Sequence, residues 1–275
     1  MAQLTLDKLQ AVVGLAIAEA IDTDGSFVFR PIGTGFIYAH SDRSGWLVTC
    51  KHVVQEIVEN SGRIIVRSNK EDHGEMMMFR ANLEWTFHPS ADVAVHVTDP
   101  EILKQNNIQY MALHRGYTRG EAMAASLLEG DSVFIIGFPS GWREGRQDYP
   151  VVRYGVLAQV RGWYNEEHET FLVDGSGFGG NSGGPVVTKP EISAVAGWSD
   201  ARITESRLIG MVSKVTREPV EVSRMRVLDT AAQTGETKPV FLQHSDLIEV
   251  VPVDLIEETI ELAKTERAAS TPVEP

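Results

Sequence analysis

The chain has 275 residues, 43% hydrophobic and 23% charged, with a formal net charge of −13. That composition excludes a disordered chain, and the length suffices for one large all-β domain or two smaller units with a sizeable core. The acidic balance argues against a broad nucleic-acid surface, and no apolar run approaches the roughly 20 residues of a membrane helix, so neither nucleic acid nor membrane is expected as a partner.

Cysteine usage adds a second bound. The single cysteine, Cys50, excludes a disulfide framework within one chain. It fits a reducing cytoplasm, with a secreted or periplasmic location as the alternative.

Leu6, Leu9, Val13, Ile17 and Ala20 fall at three- and four-residue steps, which predicts an amphipathic helix within residues 1–24. The apolar stretch 11–18 is short, follows no clear positive segment and meets Glu19 at once, which argues for that helix over a signal peptide. A turn cluster at 22–26 then opens a long series of short β-branched and apolar runs: 35–39, 46–49, 63–67, 93–97, 132–136, 151–160, 170–173, 185–188 and 208–212. Many short strands at this spacing predict a barrel or sandwich. Residues 100–130 interrupt the pattern, with a helical turn over 100–105 and a connector over 122–128, and divide it into halves at 25–118 and 119–248. A C-terminal helix is expected over 249–267, because Leu255, Ile256, Ile260 and Ala263 share one face. Residues 268–275 are small, polar and proline-rich and are expected to be a frayed tail.

The segment richest in chemical information is Gly179-Gly180-Asn181-Ser182-Gly183-Gly184-Pro185. A serine hydroxyl attacks a carbonyl only when exposed, oriented and relieved of its proton. Flanking glycines let the backbone bend sharply, and such a bend can aim the amides of Gly180 and Ser182 at one oxyanion position. A base is also needed. Among eight histidines, His52 stands out because the apolar run Leu47-Val48-Thr49 ends just before it. The base needs a carboxylate to fix its tautomer, and Asp92, at the head of Val93-Ala94-Val95, is placed for partial burial.

These segments resemble those of trypsin-like and HtrA-like serine peptidases. The serine segment resembles their G-N-S-G-G-P motif, Thr49-Cys50-Lys51-His52 their T-x-x-H, and Asp92-Val93-Ala94-Val95 their D-[LIV]-A-[LV]. Gly33-Thr34-Gly35-Phe36 and the stretch from Gly130 to Pro139 match two further motifs in the family's order. The resemblance covers roughly residues 25–245. It implies an all-β fold of two antiparallel six-stranded β-barrels with short terminal helices. The triad His52, Asp92 and Ser182 would lie between the barrels, with Gly180 and Ser182 as oxyanion hole and a protein or peptide as substrate. It also implies that Ser213 donates to Asp92 and that the backbone of Ser213, Lys214 and Val215 pairs with an extended substrate. No cofactor and no metal are required.

Departures from the family pattern carry their own expectations. Asn181 stands where trypsin has the aspartate that pairs with a newly cut terminus, so activation by cleavage is not expected. Ser176 falls at the pocket floor and Val215 where a glycine keeps the pocket deep, which suggests a shallow, uncharged pocket for a small or medium apolar residue. Lys51 is expected to point to solvent, Cys50 to be a buried small hydrophobe, and 189–206 to form an extra loop. Glu71-Asp72-His73-Gly74-Glu75 is read as a solvated hairpin tip in preference to a cation loop, and Met76-Met77-Met78 as packing.

Two rival readings remain in view. An α/β-hydrolase would use Ser182 with Asp229 and His244, but Gly183-Gly184-Pro185 is poor material for the helix that must follow its nucleophile. A protease-like binding or scaffold module that has lost turnover would not require the three triad residues.

Overall fold

The structure is a computed structural model that describes residues 9–20, 27–60, 62, 64–68, 77–81, 84–105, 116–139, 149–176, 179–190, 192–193, 202–203, 205–221 and 240–270. The first half is a seven-stranded antiparallel sheet built from β1 (Val12–Ala20), β2 (Phe27–Ala39), β3 (Gly45–Thr49), β4 (Ile64–Ser68), β5 (Met77–Ala81), β6 (Thr86–Phe87) and β7 (Ala94–Val97). Their order across the sheet is β5-β4-β1-β2-β3-β7-β6. The second half is a closed six-stranded barrel of β8 (Ser132–Gly137), β9 (Val151–Gln159), β10 (Phe171–Gly175), β11 (Pro185–Thr188), β14 (Leu208–Glu221) and β15 (Val240–Pro252). Between β11 and β14, β12 (Ile192–Ser193) and β13 (Arg202–Ile203) pair as a separate ribbon.

The all-β class holds, with one of the two expected barrels closed in the second half, a sheet in place of the other in the first half, and a correction at the start of the chain. Residues 12–20, expected as a helix, form β1, which pairs with β2 on one side and β4 on the other. This gives the first half one strand more than the six expected. The physical reason is burial on both faces: Ala11, Val12, Val13, Leu15 and Ala16 are all buried. An amphipathic helix would have turned one side to water, whereas an inner strand covered on both faces reads as a continuous apolar run.

Short helices fill the connections: α1 (Lys51–Glu59), α2 (Pro100–Gln105), α3 (Arg119–Ala124) and α4 (Arg161–Tyr164). The 100–105 helical turn falls where it was expected. The C-terminal helix α5 spans Val253–Ser270, starting four residues later than expected because 249–252 complete β15. Its N-terminal part buries Val253, Ile256, Ile260 and Ala263 in the same core as Phe36, Trp46 and Val95 of the first sheet. The helix thus leaves the barrel and straps across to the other half. Tyr38 Oη donates to Glu257 Oε1 at 2.8 Å, and Lys264 Nζ lies 2.6 Å from Asp42 Oδ2.

The two halves share one core. Val48, Cys50 and Val54 of the first half cluster with Ile136, Phe138, Val187, Met211 and Val251 of the second. At about 25 cal/mol per Å² of apolar surface removed from water, this seam stabilises the mutual position of the halves as well as each alone. The residues that end strands at this seam are those that carry the chemistry.

Candidate active site

His52 sits in the first turn of α1. Thr49 ends β3, Cys50 caps the helix, and Val53 and Val54 turn into the core. These anchors leave the imidazole facing out, with its side chain 51% exposed. Cys50 is fully buried and its Sγ donates to the carbonyl of Val212 at 3.0 Å. Burial, and then the charge of Asp92, push the Cys50 thiol well above its ordinary range, so it stays protonated and unreactive.

Asp92 closes a tight turn. The Nδ1 atom of buried His88 accepts the backbone N–H groups of Ser90 (3.2 Å) and Ala91 (2.7 Å). Lys51 corrects an expectation: its ammonium is not free in solvent but donates to the carbonyl of His88 at 3.2 Å, tying the helix of His52 to the turn of Asp92. Asp92 Oδ1 accepts the backbone N–H of His52 at 2.9 Å, and Oδ2 lies 2.7 Å from His52 Nδ1. Ser213 Oγ donates to the same Oδ2 at 2.6 Å. Burial raises the Asp92 carboxyl, but the hydrogen bonds from the His52 ring, the Ser213 hydroxyl and the His52 amide outweigh it and hold the group well below the usual carboxylate range. An ionised carboxylate only accepts, so Nδ1 of His52 carries a proton, and in the neutral ring the lone pair is on Nε2.

The Ser182 loop is clamped beside this pair. Gly180 and Gly183 have φ of 94° and 87°, a region that side chains rarely adopt. Thr34 holds the loop from the first half: its N–H donates to Ser182 O at 2.9 Å and its hydroxyl to Gly180 O at 2.7 Å. The Thr34 hydroxyl also accepts Phe138 N–H at 3.0 Å, and Thr49 Oγ1 donates to the carbonyl of Thr34 at 2.7 Å. From the second half, Gly183 N–H reaches Val212 O at 2.8 Å, and Val212 N–H reaches Gly184 O at 2.9 Å. The carbonyl of Val212 therefore receives both Cys50 and Gly183, close in sequence to His52 and Ser182 respectively. A Cβ on Gly33 would lie 2.8 Å from Val53 and 3.1 Å from Ser182 O, so the residue after His52 and the main chain of Ser182 approach within one glycine's width.

Gly183 is the tightest point. A Cβ there would fall inside the contact radii of Thr34 O and Thr49 Oγ1, and its φ is already unfavourable for alanine. Gly183→Ala is expected to destabilise the fold by about 3 kcal/mol and to lower Tm by roughly 10 °C, read by thermal denaturation. A methyl group on Gly179 would meet nothing within 4 Å, so Gly179→Ala is the control expected to leave Tm unchanged.

The structure brings Ser213 to Asp92 and keeps it buried. Lys214 is exposed, with Nζ 3.0 Å from Glu249 Oε2, and Val215 packs half-buried against the core of the barrel. Ser176 is exposed just past the end of β10. Asp229 and the acidic tip 71–75 lie outside the described residues, as does most of 189–206. Thr34 and His88, which position the loop and the acid, went unassigned in the sequence; the only signal for Thr34 was its place in the Gly33–Phe36 motif.

Among the described residues, the one group of His, Cys, Asp and Glu atoms compact enough for an ion is Cys50, His52 and Asp92. A protonated thiol engaged with a carbonyl is a poor ligand, so these residues fit a hydrogen-bonded acid–base pair better than a metal centre. A cavity of about 440 Å³ beneath the end of α5, lined by Trp46, Trp85, Val97, Ala263, Glu266 and Arg267, includes none of the three candidates for the triad.

Comparison with known proteins follows the same line. The family model of the trypsin-like peptidase domain matches residues 33–196. No curated protein matches the chain. Among solved structures, an HtrA-type protease, AlgW, with decapeptide is similar over 94% of this chain and 66% of that one, at 17% identity and a TM-score of 0.52. A variant of the same protease with tripeptide covers 93% of this chain and 60% of that one, at 18% identity and a TM-score of 0.49. The chain thus spans no more than about two thirds of those proteases. At such identity the likeness is one of fold.

Proposed function

The chain belongs to the trypsin-like peptidase family, and from that premise we propose that it is a serine endopeptidase acting on protein or peptide substrates. The observation that carries the proposal is the 2.7 Å contact between His52 Nδ1 and Asp92 Oδ2, reinforced by Ser213 and set beside the clamped Ser182 loop. It supports His52 as the base, with Nδ1–H held by Asp92 and Nε2 left to accept a proton.

In the proposed reaction Ser182 Oγ attacks the peptide carbonyl carbon while His52 Nε2 takes its proton. The amides of Gly180 and Ser182 receive the oxyanion. Collapse of the tetrahedral species breaks the C–N bond, and His52 gives its proton to the leaving amine. Water, deprotonated by the same nitrogen, then releases the acid and restores the serine. No external reductant, oxidant or cofactor enters this balance. Ser176 and Val215 support a shallow, uncharged pocket for a small or medium apolar residue before the scissile bond, and Ser213, Lys214 and Val215 support backbone pairing with substrate. The lone, buried, protonated thiol is compatible with work in the cytoplasm.

A fluorophosphonate probe tests the reading directly. Wild-type protein is expected to label stoichiometrically, and Ser182→Ala not at all. Folded wild-type protein that fails to label would favour a binding module without turnover. Profiling against a diverse peptide library checks the pocket; cleavage chiefly after Arg or Lys would contradict it.

A further inference from the structure

Behind His52 and Asp92 stands a second histidine, His88, whose bonds bracket Asp92. Its N–H donates to Val93 O at 3.0 Å, and its Nδ1 accepts the N–H groups of Ser90 (3.2 Å) and Ala91 (2.7 Å). Its carbonyl takes the ammonium of Lys51, the neighbour of His52. The turn that presents Asp92 is thus wound around one imidazole, which is only 4% exposed.

Those two amides fix the tautomer of His88. An N–H group needs a lone pair to point at, so Nδ1 is bare and in the neutral ring the proton is on Nε2. Nε2 is buried and finds no hydrogen-bond partner among the described residues. Glu258 Oε1 stands 3.6 Å from it. That is about half an ångström beyond a hydrogen bond. Glu258 belongs to α5, the C-terminal helix, where Ile256 and Ile260 are fully buried and Glu257 accepts Tyr38 Oη at 2.8 Å. The helix is therefore fixed against the first half, while the Glu258 side chain, 68% exposed, has room to rotate onto Nε2. The two histidines carry opposite tautomers. Asp92 holds the Nδ1–H of His52 and leaves Nε2 to react, whereas Glu258 faces the Nε2–H of His88 and leaves Nδ1 to grip the turn of Asp92.

We propose that His88 and Glu258 form a second histidine–carboxylate pair, through which the C-terminal helix positions Asp92. Both are positioning residues. His88 sets the place of Asp92 by winding its turn. Glu258 holds His88 in the tautomer that can do so, because a carboxylate favours the proton on the nearer ring nitrogen. The effect on turnover rests on the peptidase reading above; the pairing and the tautomer do not.

The test is a set of variants read by kcat, KM, melting and the ring's nitrogen NMR spectrum. In asparagine Oδ1 hangs from Cγ as Nδ1 does in histidine, so His88→Asn keeps an acceptor for the turn, while His88→Leu fills the place without one. His88→Leu is expected to lower kcat about a hundredfold, the scale of a displaced active-site group, with KM within about threefold of wild type. His88→Asn is expected to keep kcat within about threefold although the missing part of the ring leaves a void that lowers Tm. A role in packing alone would tie kcat to Tm. Glu258→Ala is expected to lower kcat about threefold, the scale of an exposed ion pair, and to have no effect in the His88→Asn background, which has no Nε2. At neutral pH the His88 ring is expected to show a bare Nδ1 and a protonated Nε2. A protonated Nδ1, or a fall in His88→Asn as deep as in His88→Leu, overturns the role of His88. An equal effect of Glu258→Ala in both backgrounds overturns the pair. The Glu258 cycle and the spectrum decide the case even where His88→Leu fails to fold. Fluorophosphonate labelling separates the two failures: unlabelled wild-type protein overturns the peptidase reading while the ring spectrum still decides the tautomer, whereas labelled protein with unchanged kcat in His88→Leu overturns this inference alone.

Discussion

Ser182→Ala is expected to lower kcat on a library-selected peptide by roughly 10⁴- to 10⁶-fold, while Tm stays within a degree or two of wild type. The separation of the two effects follows from what Ser182 contributes to the structure. Its carbonyl takes the N–H of Thr34, and its neighbours Gly183 and Gly184 bond to Val212, all through main chain that alanine retains. The side chain removed is one oxygen of a half-buried residue. What vanishes is the atom that would form the acyl bond, and residues 179–185 carry no other hydroxyl. The remaining rate comes from the oxyanion position and from binding, which is why the fall stops short of the uncatalysed rate. Measurement is by kcat and kcat/KM on one peptide with the melting curve beside it. Turnover within tenfold of wild type would end the assignment of Ser182.

Legibility in the sequence divided along the range of the interactions concerned. Ser182 and its glycines were readable because the bend, the positive φ angles and the nucleophile are written within seven consecutive residues. The C-terminal helix was readable because one side of it is buried, so Ile256, Ile260 and Ala263 leave a one-sided stripe. β1 reads as helix in the sequence because burial on both faces erases the alternation that marks a strand, and over a short apolar run the two periods coincide. Thr34 was invisible as a clamp: its partners Gly180 and Phe138 lie 146 and 104 residues away, and a small residue between two glycines carries no local sign of them. His88 stays hidden for a related reason. Its role depends on Nδ1 meeting the amides of Ser90 and Ala91 inside a turn, which residue types alone do not specify. Lys51 was expected in solvent because charge usually favours water, but its long stem lets the ammonium reach the His88 carbonyl at the rim.

Asp92→Asn is expected to lower kcat by about 10⁴-fold at neutral pH, through the tautomer of His52 and not through lost contact. The carboxylate accepts at both oxygens: the His52 amide on Oδ1, and the His52 ring and the Ser213 hydroxyl on Oδ2. An asparagine has one acceptor and one donor. If its oxygen keeps the His52 amide, its NH₂ group faces Nδ1, which must then give up its proton and accept. The proton moves to Nε2, and the ring can no longer take one from Ser182. Turning the amide over restores the ring but sets two N–H groups against each other at the His52 backbone. Stability responds as well, with a definite sign. The Asp92 carboxyl is held below its ordinary value of 3.8, so the folded state binds fewer protons there than the unfolded chain. Its contribution is fully present above pH 3.8 and drains away as pH falls below that value toward the folded-state one. The Tm gap between wild type and Asp92→Asn is therefore expected to be constant from about pH 6 to 8 and to narrow in acid, since the variant has no carboxylate to protonate. A gap that widens as pH drops would mean the carboxyl is raised in the fold, and the network of His52 and Ser213 around it would not be the one that sets the chemistry.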